Sequence, residues 1–440
     1  VTIPRSPLTS LQEGHWFKLI CGASYHHLPV IRNLALAYTL AGADCIDLAA
    51  DPAIVAAARS GVQAARRVAS ALATTTFRPR LLADGPWLMV SLNDGEDPHF
   101  RKAAFDPARC PTDCSRPCER VCPAQAIVFS QHEGQSGVID SRCYGCGRCL
   151  PVCPIEQIYA RSYVSTPAAI APQIFPAVDA VEIHTQVGRE QEFQRLWQAI
   201  KPETKHLKLI AISCPDGEGV IEYLWRLWAI VSPLSLPLIW QTDGRPMSGD
   251  IGEGATAAAV RFGEKVLQAG LPGYVQLAGG TNSSTVQKLR ALRLLNNAVH
   301  PSAQAELTHR PAAVAGIAYG SYARKLLSPI LEMLDAQESK LATRQPETAA
   351  LGRLPGLALS QASSDKPNLL SSFSPPEAID SKAIDLEVMD SNAVYLEDAP
   401  ELLLAAVRAA ADLVYPLKGS SPFPEDFSPS SGGALLALPS

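Results

Sequence analysis

The 440-residue chain has no basic stretch, no apolar run of eighteen or more residues, and neither an H-E-x-x-H nor a G-x-S-x-G signature. Each absence removes a class of function. Nucleic-acid binders usually carry a basic patch, and the formal charge here is −5, so no nucleic-acid partner is expected. Without a long apolar run no membrane span is expected either. Val1 to Ser10 is rich in Pro and Ser and lacks a charged head followed by an apolar core, so it does not read as a secretory leader. A cytoplasmic protein is expected, in a compartment where thiols stay reduced. No expected strand ends in a lysine of Schiff-base type, so the common hydrolytic and aldolase-like chemistries have no visible carrier. With 47% hydrophobic and 18% charged residues the composition is globular, and the length suits two domains or one large barrel with an attachment.

Cysteine is what the chain does have, in two runs. The first is Cys110-x3-Cys114-x3-Cys118-x3-Cys122-Pro123, and the second is Cys143-x2-Cys146-x2-Cys149-x3-Cys153-Pro154. The second has the bacterial ferredoxin spacing for a [4Fe–4S] cluster, in which the fourth cysteine reaches to the partner cluster. Eight cysteines therefore imply two cubanes with crossed ligation. The expected sets are Cys110, Cys114, Cys118 and Cys153 on one cluster, and Cys143, Cys146, Cys149 and Cys122 on the other. The halves look like copies, since Cys122-Pro-Ala-Gln-Ala-Ile127 is answered by Cys153-Pro-Ile-Glu-Gln-Ile158. Between them Ala126–Phe129 and Gly137–Asp140 read as a hairpin turning at Glu133-Gly134. The first run has an extra residue in each of its first two gaps, which requires a wider loop and makes Cys110 the least constrained ligand. Disulfides and zinc are the alternatives; the former need an oxidising compartment, and the latter usually takes two separated Cys pairs.

Arg109, Arg116, Arg120, Arg142 and Arg148 are interleaved with these ligands. At roughly 8 Å and an effective dielectric of about 20, one cation stabilises an added electron by about 2 kcal/mol. The same arginines also suit a docking face for an acidic partner.

Outside the cysteine block, short apolar runs alternate with amphipathic stretches, the pattern of a parallel α/β fold. Eight strands are expected, at Trp16–Ile20, Ala43–Leu48, Pro86–Leu92, Ala180–His184, Leu207–Ser213, Pro237–Gln241, Tyr274–Ala278 and Ala313–Ala318. Eight is the number that closes a TIM barrel, although periodicity alone does not separate this from an open doubly wound sheet. The expected organisation is a TIM-barrel-like (β/α)8 domain over residues 11–97 and 166–336, an inserted two-cluster ferredoxin-like α+β domain over 98–165, and a largely disordered Ser/Pro-rich tail over 337–440. One amphipathic helix, 400–415, interrupts that tail, with Leu403, Ala406, Val407, Ala410 and Val414 on one face. Trp225 and Trp228 read as a packing ridge on the helix after the fifth strand.

The strand ends offer polar groups: Cys21, Ser24 and His26 (with His27 beside it), then Asp47 and Asp51, Asn93 and Asp94, His184, Cys214 and Asp216, and Asp243, Arg245, Ser248 and Asp250. The buried-hydrophobe reading suits Cys21, Cys45 and Cys214. Gly279 and Gly280 after the seventh strand, and Gly320 and Ser321 after the eighth, stand where barrels bind phosphate, so a phosphate or FMN site is one reading. Glycines also end strands for steric reasons. No reaction follows from these residues.

This layout resembles the cyanobacterial light-dependent period protein family (LdpA), from about Leu11 to Leu334, most closely in Cys110–Pro154, Asp243–Asp250 and Gly273–Asn282. The resemblance implies an iron–sulfur redox sensor that reports light, through photosynthetic redox state, to the circadian clock. It also implies KaiA and clock-input histidine kinases as partners. The competing function is a flavin- and iron–sulfur-dependent oxidoreductase on a TIM barrel; a non-enzymatic sensor is preferred, because no catalytic constellation stands out.

Overall fold

A computed structural model describes residues 6–21, 28–72, 82, 84–95, 101–122, 125–129, 136–139, 142–143, 149–162, 167–244, 255–295, 313–343 and 394–419. The strands are, in chain order, β1 (Trp16–Ile20), β2 (Cys45–Ala49) and β3 (Trp87–Asn93), then β4 (Arg101–Ala104), β5 (Ile127–Val128), β6 (Gly137–Val138) and β7 (Tyr159–Ser162). They continue with β8 (Ala180–His184), β9 (Leu209–Pro215), β10 (Leu238–Asp243), β11 (Tyr274–Ala278) and β12 (Gly316–Tyr319). The first three and last five form a closed barrel in which every neighbouring pair is parallel. All eight expected strands are present, some beginning or ending two or three residues later than the sequence suggests, and closure excludes the open sheet.

The helices are α1 (Pro7–Glu13), α2 (Leu28–Ala41), α3 (Pro52–Leu72), α4 (Pro117–Val121), α5 (Pro167–Ile174), α6 (Glu190–Ile200), α7 (Val220–Val231), α8 (Ala255–Gln268), α9 (Thr285–Ala291), α10 (Ser321–Thr343) and α11 (Pro400–Lys418). Inward-facing positions at the N-terminal end of the barrel are apolar: Trp16, Cys45, Trp87, Met89, Leu209 and Ile239 pack together, and Leu11 of α1 closes that end. Gly316 is required there, because a Cβ would come within 2.3 Å of the Trp16 carbonyl and 2.6 Å of its side chain.

On the outside, α2 is buried almost all round. One flank is covered by α3 and another by α11 with α10. The expected stripe of α11 is fully inside this contact, with Leu403, Ala406, Val407, Ala410 and Val414 all buried, so the helix docks on the barrel's outer layer. Two ion pairs and a hydrogen bond hold it and the turn before it: Arg32 grips Glu397 with two guanidinium nitrogens, Lys418 pairs with buried Asp44, and His15 Nδ1 lies 3.0 Å from the Leu417 carbonyl. The tryptophan ridge needs correcting. Helix α7 buries Val220, Tyr223, Leu224, Leu227 and Val231 instead, leaving Trp225 exposed and Trp228 half-buried, because the apolar stripe wins the barrel-facing side.

The cysteine block leaves the barrel after β3, at the end where the strands finish, and its two ends meet again as β4 and β7 pair antiparallel. Its centre is the short antiparallel pair β5 with β6, Ile127 opposite Val138. The expected turn at Glu133-Gly134 lies outside the described residues.

Candidate functional site

The insert builds the same turn twice. Cys122-Pro-Ala-Gln125 and Cys153-Pro-Ile-Glu156 each place their fourth residue in the left-handed region, with φ of 47° and 49°. In both, that residue's N–H returns to the cysteine carbonyl at 3.1 Å. The next N–H is thereby aimed at sulfur: Ala126 donates to Cys122 Sγ at 3.2 Å, and Gln157 to Cys153 Sγ at 3.4 Å. A third such contact runs from Ala103 of β4 to Cys143 Sγ, at 3.4 Å. Burial opposes charge on Cys153, but backbone N–H groups of residues 155 to 158 prevail and hold its thiol below the ordinary value. Donors aimed at sulfur are what stabilises metal-bound thiolate.

Cys118, Cys143, Cys149 and Cys153 are buried, and Cys110, Cys114 and Cys122 are partly so; none of them is in a disulfide. Burial and the neighbouring Cys114 and Cys153 sulfurs push the Cys110 thiol up, and Cys118 is raised by burial and feels both Cys153 and Cys110. The structure thus brings Cys110, Cys114, Cys118 and Cys153 into one electrostatic neighbourhood. Among the described residues no three such side chains stand at the close spacing of a single metal ion. An all-thiol set of this kind, without histidine, suits an iron–sulfur group. Cys146 and Arg148 lie outside the described residues. Of the interleaved arginines, Arg116 stacks 4.4 Å from the Phe129 ring centroid and its charge opposes the rise at Cys110.

The barrel holds a second polar assembly. Above the apolar layer, Lys18 is completely buried, paired with Glu182 and 3.1 Å from Asp47 Oδ2. Burial opposes its charge, yet Asp47 and Glu182 together hold the ammonium above its usual value. Gln241 Nε2 donates to Glu182 at 2.7 Å and to Asp243 at 3.2 Å, while Gln241 Oε1 accepts from Gln276 Nε2, and Gln276 Oε1 in turn accepts the Trp16 indole N–H. Ser91 donates to Asp47 at 2.7 Å. Ser213 donates to Asp243 at 2.5 Å and lies 3.1 Å from His184 Nδ1, so with its proton committed it takes a hydrogen bond from that nitrogen. His184 Nε2 is 3.4 Å from Glu182, and the imidazole is the member nearest solvent. Burial, then Glu182, pushes Asp243 up to about 6. Glu182 moves the other way: burial is outweighed by Lys18 and His184. Two carboxylates on one network thus have opposite tendencies.

A family model described as the LdpA Fe-S cluster-binding domain matches residues 110–164, and one described as the light dependent period A C-terminal domain matches 175–372. A curated protein of Synechococcus elongatus, "Light dependent period A", is 52% identical over 336 residues, which is 76% of this chain and 87% of that one. The chain belongs to the LdpA family.

The LdpA Fe-S match begins at Cys110, the residue that opens the widened run, so the first run falls inside the domain with the second. Of the strand-end residues, Asp47, His184 and Asp243 come together in the interior network, whereas Asp51 turns to the insert and Asp94 pairs with Arg189. Cys21, Cys45 and Cys214 are buried. Gly279 and Gly280 are left-handed, φ 61° and 105°, and Gly320-Ser321 opens α10, where Arg324 bonds to the Ile20 carbonyl and to Ser321. Ser24, His26, His27, Arg245, Ser248 and Asp250 lie outside the described residues. Lys18, Glu182, Ser91, Ser213, Gln241 and Gln276 are not among the polar groups to which the sequence points. Their signal was parity: each is a polar residue on the inward-facing register of an otherwise apolar strand.

Proposed function

We propose that the protein is an iron–sulfur redox sensor, in which a ferredoxin-like insert holds two [4Fe–4S] clusters and relays light, through photosynthetic redox state, to the circadian clock and its period. The doubled Cys-Pro turn, with a backbone N–H aimed at each sulfur, carries this reading. Cys110, Cys114, Cys118 and Cys153 would hold one cluster, and Cys122, Cys143, Cys146 and Cys149 the other. A bound cubane supplies one-electron exchange, each reduction adding one negative charge. The protein's part is to set how readily that charge is accepted: N–H groups of Ala103, Ala126 and Gln157 and the guanidinium of Arg116 all favour it. The relative's printed name points to light-dependent period, and the family resemblance to KaiA and clock-input histidine kinases as receivers of the signal. The insert is bounded near residues 98 and 165 and belongs to the cytoplasm in this reading. Anaerobic purification with iron and sulfide counts, followed by EPR before and after dithionite, tests it. Eight irons and eight sulfides per chain are expected; colourless or zinc-containing protein would overturn it.

The second reading, a flavin- and iron–sulfur-dependent oxidoreductase, is favoured by the charged barrel interior, with the partly exposed His184 in its network, and by the left-handed Gly279 and Gly280. FMN would then sit on Gly279, Gly280, Gly320 and Ser321. A yellow chromophore released on denaturation would select this reading over the sensor.

A further inference from the structure

Neighbouring residues of β4 hold on to the two parts of the molecule. Lys102 Nζ stands 3.5 Å from Asp51 Oδ2, with the two side chains only 6% and 7% exposed. Asp51 follows β2, and its Oδ1 accepts the Ala53 N–H at 2.8 Å, capping the 21-residue α3 that packs along α2. One residue further along β4, the Ala103 N–H donates to Cys143 Sγ. The ladder with β7 fixes both, Lys102 opposite Arg161 and Ala103 opposite Ala160. Only one hydrogen bond, one peptide step and one lysine side chain separate the ammonium from the Cys143 sulfur, which places them within about 12 Å.

A buried ion pair is a poor way to join two units if stability is the only need, since apolar residues of similar volume usually do as well or better. Its charges do something else here. Because the pair is shielded from solvent, salt screens it weakly, and Lys102 feels any charge change at the Cys143 site together with the charge of Asp51. A negative charge arriving at that sulfur attracts the ammonium and competes with Asp51 for it. Any loosening of that pair is felt at the first turn of α3.

We propose that Lys102 couples the charge state of the Cys143 site to the barrel, raising that site's affinity for an electron, with Asp51 as the counter-charge that lowers it. This rests on the reading that Cys143 ligates a cluster. The two substitutions that test it have opposite signs. Lys102→Met removes the cation and keeps the chain length; Asp51→Asn removes the anion and keeps the cap, since Asn serves as well at that position. In full-length protein purified without oxygen, potentiometric titration followed by EPR should show one midpoint falling in Lys102→Met, rising in Asp51→Asn, and returning toward wild type in the double variant and in Lys102→Arg. Hydrogen exchange at the first-turn amides of α3 should differ between oxidised and reduced wild type and become insensitive to redox state in Lys102→Met. Clusters present with midpoints unmoved, or moved in the same direction by both substitutions, would show a mere clamp and overturn the inference. Absence of any cubane signal in the wild type would instead sink the cluster reading and this coupling with it.

Discussion

Gln125 and Glu156 hold almost the same left-handed backbone, φ 47° and 49°, each three residues beyond a cysteine followed by proline. Neither is glycine, although that conformation costs an L-residue roughly 1–2 kcal/mol. The strain positions the next N–H on sulfur in both halves. Glycine at either site is therefore expected to be tolerated, with a stability change within about 1 kcal/mol. Valine should cost about 2 kcal/mol and lower the iron retained after exposure to a chelator. Thermal melts and iron counts on the four variants check this.

The interior lysine makes a sharper prediction. Replacing Lys18 with Met leaves Asp47 and Glu182 buried without their cation, which should destabilise the barrel by about 3–5 kcal/mol. Adding Glu182→Gln should recover part of that loss, because one uncompensated charge goes with it. Denaturant titrations of the single and double variants measure the difference.

Asp243 should make stability depend on pH in an unusual direction for a carboxylate. Its folded value is about 6 against 3.8 unfolded, so the folded state binds the extra proton between those values. The contribution is favourable at low pH and is lost as pH rises through about 6. Asp243→Asn should remove that slope and gain up to about 3 kcal/mol at pH 7 if the Asn oxygen accepts from Gln241 and its amide donates to Ser213 Oγ instead. Melting temperatures of both proteins from pH 4 to 8 decide it; parallel curves would mean that Asp243 is ordinarily ionised.

Removing residues 394 onward should expose the outer flank of α2 and strand Asp44, Arg32 and His15 without Lys418, Glu397 and the Leu417 carbonyl. The shortened protein is expected to bind an apolar dye and to melt several degrees lower. Unchanged melting would show that α11 rests on the barrel without supporting it.

The strands of the barrel were legible because they are short, apolar and regularly spaced; their closure was not, because an open sheet has the same periodicity. The iron–sulfur-binding block was legible because its cysteines fall at a characteristic spacing within a few residues of one another. Asp51 illustrates the opposite case. Asp51-Pro52 reads as a helix N-cap, and Asp51 does cap α3, but nothing near it in the chain announces its pairing with Lys102 of the insert. Trp225 likewise reads as packing and faces solvent, since helical spacing identifies a stripe but not which side the barrel will cover.

Composition and spacing by themselves determined the alternation of strand and helix, the two thiol runs and their internal duplication, because each depends on neighbours within a few residues. Only the tertiary structure decided that Lys18, Asp47, Glu182, His184 and Asp243 share one buried network, and that Lys102 and Ala103 tie a carboxylate of the barrel to a cysteine of the insert. Apart from Glu182 and His184 on one strand, those partners come from separate elements, as far apart as the 164 residues between Lys18 and Glu182, and barrel closure, which no local pattern encodes, is what brings the charges of the interior within hydrogen-bonding distance.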